Sequence, residues 1–106
     1  MNVIIATKGL SLMKKPGNKS YIIEYLKDVT DKEIPYLAKS ARELIIRAIE
    51  ERLTVDPIAF GKPLRYSLTG SRSLRVSRYR IIYHVDLQQR KVIITSIQHR
   101  KDSYDE

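Results

Sequence analysis

Cysteine is absent from the 106 residues, which excludes a disulfide framework, a thiolate metal centre and a cysteine nucleophile together. Tryptophan is absent too, and only two histidines occur, His84 and His99. They are too few and too far apart for a zinc motif. No apolar run approaches the ~20 residues that a membrane-spanning helix needs. Walker loops, glycine-rich dinucleotide fingerprints and His-Glu pairs at zinc spacing are all missing. No metal, cofactor or membrane contact is therefore expected. The N-terminus lacks a charged-then-apolar leader, so the cytoplasm is the expected compartment. A chain of this length is expected to make one domain, since domains usually hold about 100–150 residues.

The other scarcity is negative charge, and it is uneven. Lys and Arg number 20 against 12 Asp and Glu, a net charge of +8. Residues 1–56 hold 10 basic and 8 acidic groups; residues 57–106 hold 10 basic and only 4 acidic ones. Between Gly61 and Arg80 lie six basic residues and no acid. A field of this sign and density favours polyanionic partners, either nucleic acid or an acidic protein segment. The plainer alternative is a basic surface that serves solubility alone.

Pattern along the chain gives the organisation. Residues 1–20 read as an N-terminal extension or arm, with the turn-rich run Lys14-Lys15-Pro16-Gly17-Asn18-Lys19. The apolar and aromatic residues from Tyr21 to Val29 suggest a first strand. Thr30-Asp31-Lys32-Glu33 and Ser40-Ala41-Arg42-Glu43 both match the capping box of a helix start. Pro35 limits the first helix. Leu44, Ile45, Ala48, Ile49 and Leu53 recur at spacings of three and four, which predicts an amphipathic helix with Arg42, Glu43, Arg47, Glu50 and Glu51 on its outer face. Asp56-Pro57 stops it. Beyond, the period falls to two, and strands are expected over 73–77, 79–86 and 91–98, with a loop from Asp86 to Lys91. Helices followed by a run of strands make an α+β domain. Period two also sets Arg75, Arg80 and His84 on the face opposite their Leu, Val and Tyr neighbours, so that basic groups share one sheet surface.

Two clusters bear chemistry. Arg72, Arg75, Arg78 and Arg80 surround Tyr79 and Tyr83. The arginine fork binds phosphate oxygens bidentately and stays charged at any relevant pH. The tyrosines are either core aromatics or platforms for unpaired bases. A charge at Arg80, central in a strand with apolar neighbours, needs a partner. The second cluster is the tail His99-Arg100-Lys101-Asp102-Ser103-Tyr104, directly after the last strand. Histidine and tyrosine there can exchange protons. Arginine beside them can neutralise charge on a pentacovalent phosphorane. A ribonuclease without metal needs such a set.

The run Asp56-Pro57 … Gly61-Lys62-Pro63-Leu64-Arg65 … Leu68-Thr69-Gly70 … Leu74-Arg75-Val76 … Tyr79-Arg80-Ile81-Ile82-Tyr83, closing in His99-Arg100-Lys101-Asp102-Ser103-Tyr104, resembles the RelE/ParE toxin superfamily. It is most similar to the RelE-type toxins of toxin–antitoxin pairs, over about residues 21–104. The resemblance implies a helical hairpin packed on one face of a small twisted antiparallel sheet, in a toxin domain spanning 21–106. It implies an endoribonuclease that cuts messenger RNA on the ribosome by attack of the 2′-OH on the adjacent phosphate. By position, Arg80 would contact the scissile phosphate, Arg100 would assist charge neutralisation or leaving-group departure, and His99 and Tyr104 would serve proton transfer or stacking. Arg75 would border the RNA path, with Arg72, Arg78, Lys101, Lys62 and Arg65 as further RNA-binding groups. The implied partner is a RelB-like antitoxin with an acidic or partly disordered segment, which often represses its operon as a complex, so that operator DNA is reached only through it. Two positions depart from the pattern. Ser77-Arg78 fills a turn that often contains glycine, and Ser73 stands where a basic or aromatic residue is common. ParE-type members share the Arg-Val … Tyr-Arg motif and the His-Arg tail yet act on DNA gyrase. A decayed toxin that only binds antitoxin is the remaining alternative.

Overall fold

A computed structural model of the chain describes residues 3–6, 20–65 and 70–99. Its frame is one sheet with strands β1 (Val3–Ala6), β2 (Ile22–Leu26), β3 (Lys62–Pro63), β4 (Arg72–Val76), β5 (Tyr79–Asp86) and β6 (Lys91–His99), in the spatial order β1-β2-β6-β5-β4-β3. The three long C-terminal strands fall within one residue of the ranges that alternation predicts. β4, β5 and β6 form an antiparallel meander. The sheet is mixed, however, not wholly antiparallel as the resemblance implies. β2 lies parallel to β6, with Ile22 opposite Lys91 and Tyr25 opposite Ile94. Parallel neighbours need a crossover rather than a hairpin, and the helical residues after β2 open the long connection between them.

The helical layer is smaller than the implied hairpin. A short helical segment over residues 27–33, π-type at Val29–Glu33, precedes one helical run: α1 (Lys39–Ala48) passes directly into π-type turns at Ile49–Leu53. Neither capping box forms. The residue before α1 is Ala38, without a side-chain cap, so Ser40 already lies inside the helix. Thr30 Oγ1 donates to Lys27 O at 3.0 Å. Glu33 has another task. Its carboxylate accepts from Ile97 N–H at 2.6 Å, where β2 has already left the side of β6, and so extends the ladder of that strand. Burial pushes the Glu33 carboxyl above its ordinary range, with the bond from Ile97 opposing that shift.

Ile45, Ala48, Ile49 and Leu53 form the buried stripe of the helical run, packed against Ile23, Tyr25, Leu74, Val76, Ile81, Tyr83, Val92, Ile94 and Ile97 of the sheet. Leu44, expected in that stripe, is half exposed, and Glu50, expected outside it, is buried. Glu50 stands four residues after the half-buried Ile46, at the edge of the stripe, and the wider π-type turns begin beside it. Burial of Tyr25 raises its hydroxyl well above its ordinary value, and the nearby charge of Glu50 adds to the shift.

Asp56-Pro57 does end the long helix, but it also starts a short one, α2 (Pro57–Phe60), with Asp56 Oδ1 accepting from Ala59 N–H at 3.0 Å. Proline is well placed at a first helical position, where its missing donor is not needed. The following segment is locked to the sheet from two sides. Tyr83 Oη donates to Pro57 O at 2.6 Å, and Arg72 Nη2 donates to Ile58 O at 2.6 Å and Gly61 O at 3.0 Å. A Cβ at Gly61 would overlap the Tyr83 hydroxyl, so only glycine lets the chain pass there.

Candidate nucleic-acid interface

Alternation along β5 and β6 sorts the site residues between two surfaces. Ile81, Tyr83, Ile94 and Ile97 face the helical run and close the core. Arg80 points the other way. It stands opposite Gln98 on β6 and Arg75 on β4, so these three side chains project from the same face of the sheet. Arg80 is only 7% exposed, and its Nη2 donates to Gln98 Oε1 at 3.3 Å. Two like charges directly opposite across a ladder sit with their Cβ atoms about 5 Å apart and destabilise the sheet. Arg75 and Arg80 stand directly opposite in this way.

The pair opens onto a cleft of about 390 Å³ that Lys62 of the edge strand and Arg52 of the helical run also line. Phe60 and Ser73 border it as well. Among the described residues no carboxylate lines this cleft. Four cations, one of them buried in the sheet, therefore converge on one concavity. The arrangement suits an anion that bears several oxygens, since each guanidinium offers a planar fork of donors.

The remaining basic candidates have other places. Arg72 spends its guanidinium on the carbonyl groups of Ile58 and Gly61 and supports the α2 segment. Arg78 is exposed in the two-residue turn between β4 and β5, beside Ser77, whose φ of 54° lies in the left-handed region that favours glycine. Arg65 is exposed just beyond the edge strand. Tyr83 is a core residue, fully buried; burial raises its hydroxyl, with Arg72 opposing that shift. Tyr79 packs on the border of the core, and His99 stands directly opposite it. The two rings meet edge to face with centroids 5.1 Å apart. His99 thus leaves the sheet on the face opposite Arg80, and the register does not bring these two together. Arg100, Lys101 and Tyr104 lie outside the described residues.

Sequence reasoning missed Arg52, Phe60 and Gln98. Gln98 follows from Arg80 once the register of β5 on β6 is known, but nothing in the sequence fixes that register. Arg52 and Phe60 reach the cleft because the π-type turns and α2 turn the chain back toward the edge strand.

Comparison with known proteins agrees with the α+β fold. Residues 19–104 match the family model described as the ParE toxin of type II toxin–antitoxin system, parDE. Toxin RelG of Mycobacterium tuberculosis is 40% identical over 52 residues, which cover 49% of this chain and 60% of that protein. The chain thus matches less than two thirds of the length of that relative. Among solved structures, the toxin–antitoxin complex RelBE2 of Mycobacterium tuberculosis superimposes with a TM-score of 0.72 at 26% identity, covering 76% of this chain and 99% of the other. The isolated RelE toxin of E. coli gives 0.63 at 20% identity, covering 79% of this chain and 87% of its own, and shows a shared fold. With most of its length inside the family model and an α+β fold shared with these structures, the chain belongs to the RelE/ParE superfamily of type II toxin–antitoxin toxins.

Proposed function

We propose that this toxin is a ribosome-dependent, metal-independent endoribonuclease that cuts messenger RNA and so stops translation. The observation that carries this reading is the buried Arg80, held by Gln98 and faced by Arg75 at the mouth of a cationic cleft. In the proposed reaction the ribose 2′-oxygen loses its proton and attacks the adjacent phosphorus. The bond from phosphorus to the 5′-oxygen breaks, leaving a 2′,3′-cyclic phosphate and a protonated 5′-hydroxyl. Charge grows on the equatorial oxygens at the transition state. Arg80, already held in place and partly desolvated, stabilises that charge without reorganisation. Arg75 and Lys62 bind the flanking backbone, and Arg65, Arg78 and Lys101 extend the basic path. Arg100 neutralises charge at the leaving group, and Tyr104 moves the proton. His99, turned onto Tyr79, acts as a positioning residue that anchors the start of this tail. Arg72 shapes the cleft through the α2 segment.

In the cell we place the toxin in the cytoplasm with a RelB-like antitoxin, whose acidic or partly disordered segment covers the basic face and through which the pair reaches operator DNA. Residues 21–106 form the toxin unit in this proposal, and 1–20 an extension. The test is primer extension on ribosome-bound message with wild type and Arg80→Ala. Cleavage by the wild type, lost by about 10²–10³ in the variant, supports the reading; equal cutting by both overturns the role of Arg80. The match to the ParE model favours one rival, a DNA gyrase inhibitor that uses the basic face for docking. Inhibition of supercoiling by the purified protein, without cuts in ribosome-bound message, would establish it.

A further inference from the structure

The proposed cleavage uses Arg75 and Arg80 and leaves part of the cleft lining unexplained. That part includes Arg52, from the last turn of the helical run, and Phe60, the final residue of α2. Phe60 is 49% exposed although it is the only phenylalanine in the chain. Other large apolar side chains are exposed as well, among them Tyr36, Ile58 and Leu87, but of these only Phe60 lines the cleft. Its position is not accidental slack: Asp56 caps α2, while Tyr83 and Arg72 tie the adjoining carbonyl groups to the sheet, which fixes where the ring stands. Arg52 lies at a helix C-terminus, where the aligned carbonyl dipoles carry negative partial charge and disfavour anions, although the carbonyl groups of Glu50, Arg52 and Thr54 already accept hydrogen bonds. A cation there, with Lys62 beside it, reverses the sign of that end of the cleft.

We infer that Arg52, Phe60 and Lys62 form a nucleotide subsite for single-stranded RNA, next to the phosphate position at Arg80. One unpaired base stacks on Phe60, and Arg52 and Lys62 bind the phosphate that joins it to the reacting nucleotide. Rings with an exposed face hold bases irrespective of sequence, while cations alone track the backbone. An acidic peptide would use the same cations but would gain little from the ring, and this difference separates the two occupants. The inference rests on the reading of this face as an RNA site but not on cleavage itself.

The test measures binding of a fluorescein-labelled RNA hexanucleotide and, separately, a poly-glutamate peptide, by anisotropy over a salt series. The wild type is compared with Arg52→Gln and Phe60→Leu; both positions are exposed, and circular dichroism checks the fold of each variant. Phe60→Leu is expected to weaken RNA binding about ten-fold with an unchanged salt slope, and to leave the peptide unaffected. Arg52→Gln is expected to lower the slope of log K against log salt by about 0.7, the loss of one phosphate contact on a single strand. RNA binding unchanged by both substitutions, or no RNA binding by the wild type at low salt, overturns the subsite. Equal weakening of RNA and peptide by Phe60→Leu also overturns it, and makes the cleft a protein-docking surface. RNA binding that follows the expected pattern in a protein that cuts no ribosome-bound message supports the subsite while rejecting the nuclease reading.

Discussion

The two faces of the β5–β6 ladder are built from neighbouring residues, across a register shift between Ile82 and Tyr83, yet they present opposite chemistry. On one side Ile81 and Ile97, then Tyr83 and Ile94, close against the helical run and exclude water. On the other, Arg80 meets Gln98 and Arg75, and the surface opens into a cationic cleft. A period of two lets one strand supply packing and chemistry at alternate positions, so that each is altered without the other. The contrast also explains why the site tolerates a like-charge pair. Arg75 and Arg80 stand on a face whose strands are already held together from behind by the core.

Substitutions on the two faces should therefore separate stability from activity. The largest stability effect is expected on the closed face. Ile81→Ala should cost about 2–5 kcal/mol, from lost burial and the cavity left behind. Urea unfolding reads this directly, and a cost under about 1 kcal/mol would mean that the face is not the core. Next comes the bond between Glu33 and Ile97, which seals β6 beyond the end of β2. Glu33→Ala leaves the Ile97 N–H without its acceptor and should cost about 1–3 kcal/mol. Glu33→Gln keeps an acceptor and should cost less. Because the folded carboxyl titrates above its unfolded value, the native state binds the extra proton. Its contribution is then fully present below the ordinary glutamate range near 4.3 and fades as pH rises through the raised folded value. Unfolding curves at pH 4 to 7 should show that slope in wild type and not in Glu33→Gln.

Smaller effects are expected on the open face. Arg75→Thr removes one of two opposed cations and should leave stability unchanged or raise it by up to about 1 kcal/mol, while weakening RNA binding. A marked loss of stability would show that Arg75 makes contacts that outweigh its repulsion of Arg80. Ser77→Gly, in the turn that presents Tyr79 and Arg80, should be worth about 1 kcal/mol in stability, since serine there adopts φ 54°. No gain in melting temperature would contradict the assignment of strain to that turn.

How much of this was legible in the sequence follows from what is local. Alternation in 72–76, 79–86 and 91–99 depends on adjacent residues, and those strands were placed almost to the residue. The shared face of Arg75 and Arg80 followed from the same period. What depends on distant neighbours was not legible. The parallel pairing of β2 with β6 is a property of the crossover, and the capping-box letters at Thr30 and Ser40 were overridden when Glu33 found Ile97 and the helix began at Lys39. His99 was grouped with Arg80 because they share a chemistry suited to phosphate, but register sets them on opposite faces. Arg52 carried no signal beyond an exposed helical position until the fold turned it toward Lys62.

The central claim, that the open face acts on RNA independently of the closed face, is met most directly by one paired measurement on Arg80→Ala: cleavage of ribosome-bound message beside thermal unfolding. Cleavage reduced by about 10²–10³ with a melting temperature close to that of the wild type is the predicted result. Cleavage retained in a stable variant, or cleavage lost only because the protein unfolds, would contradict it.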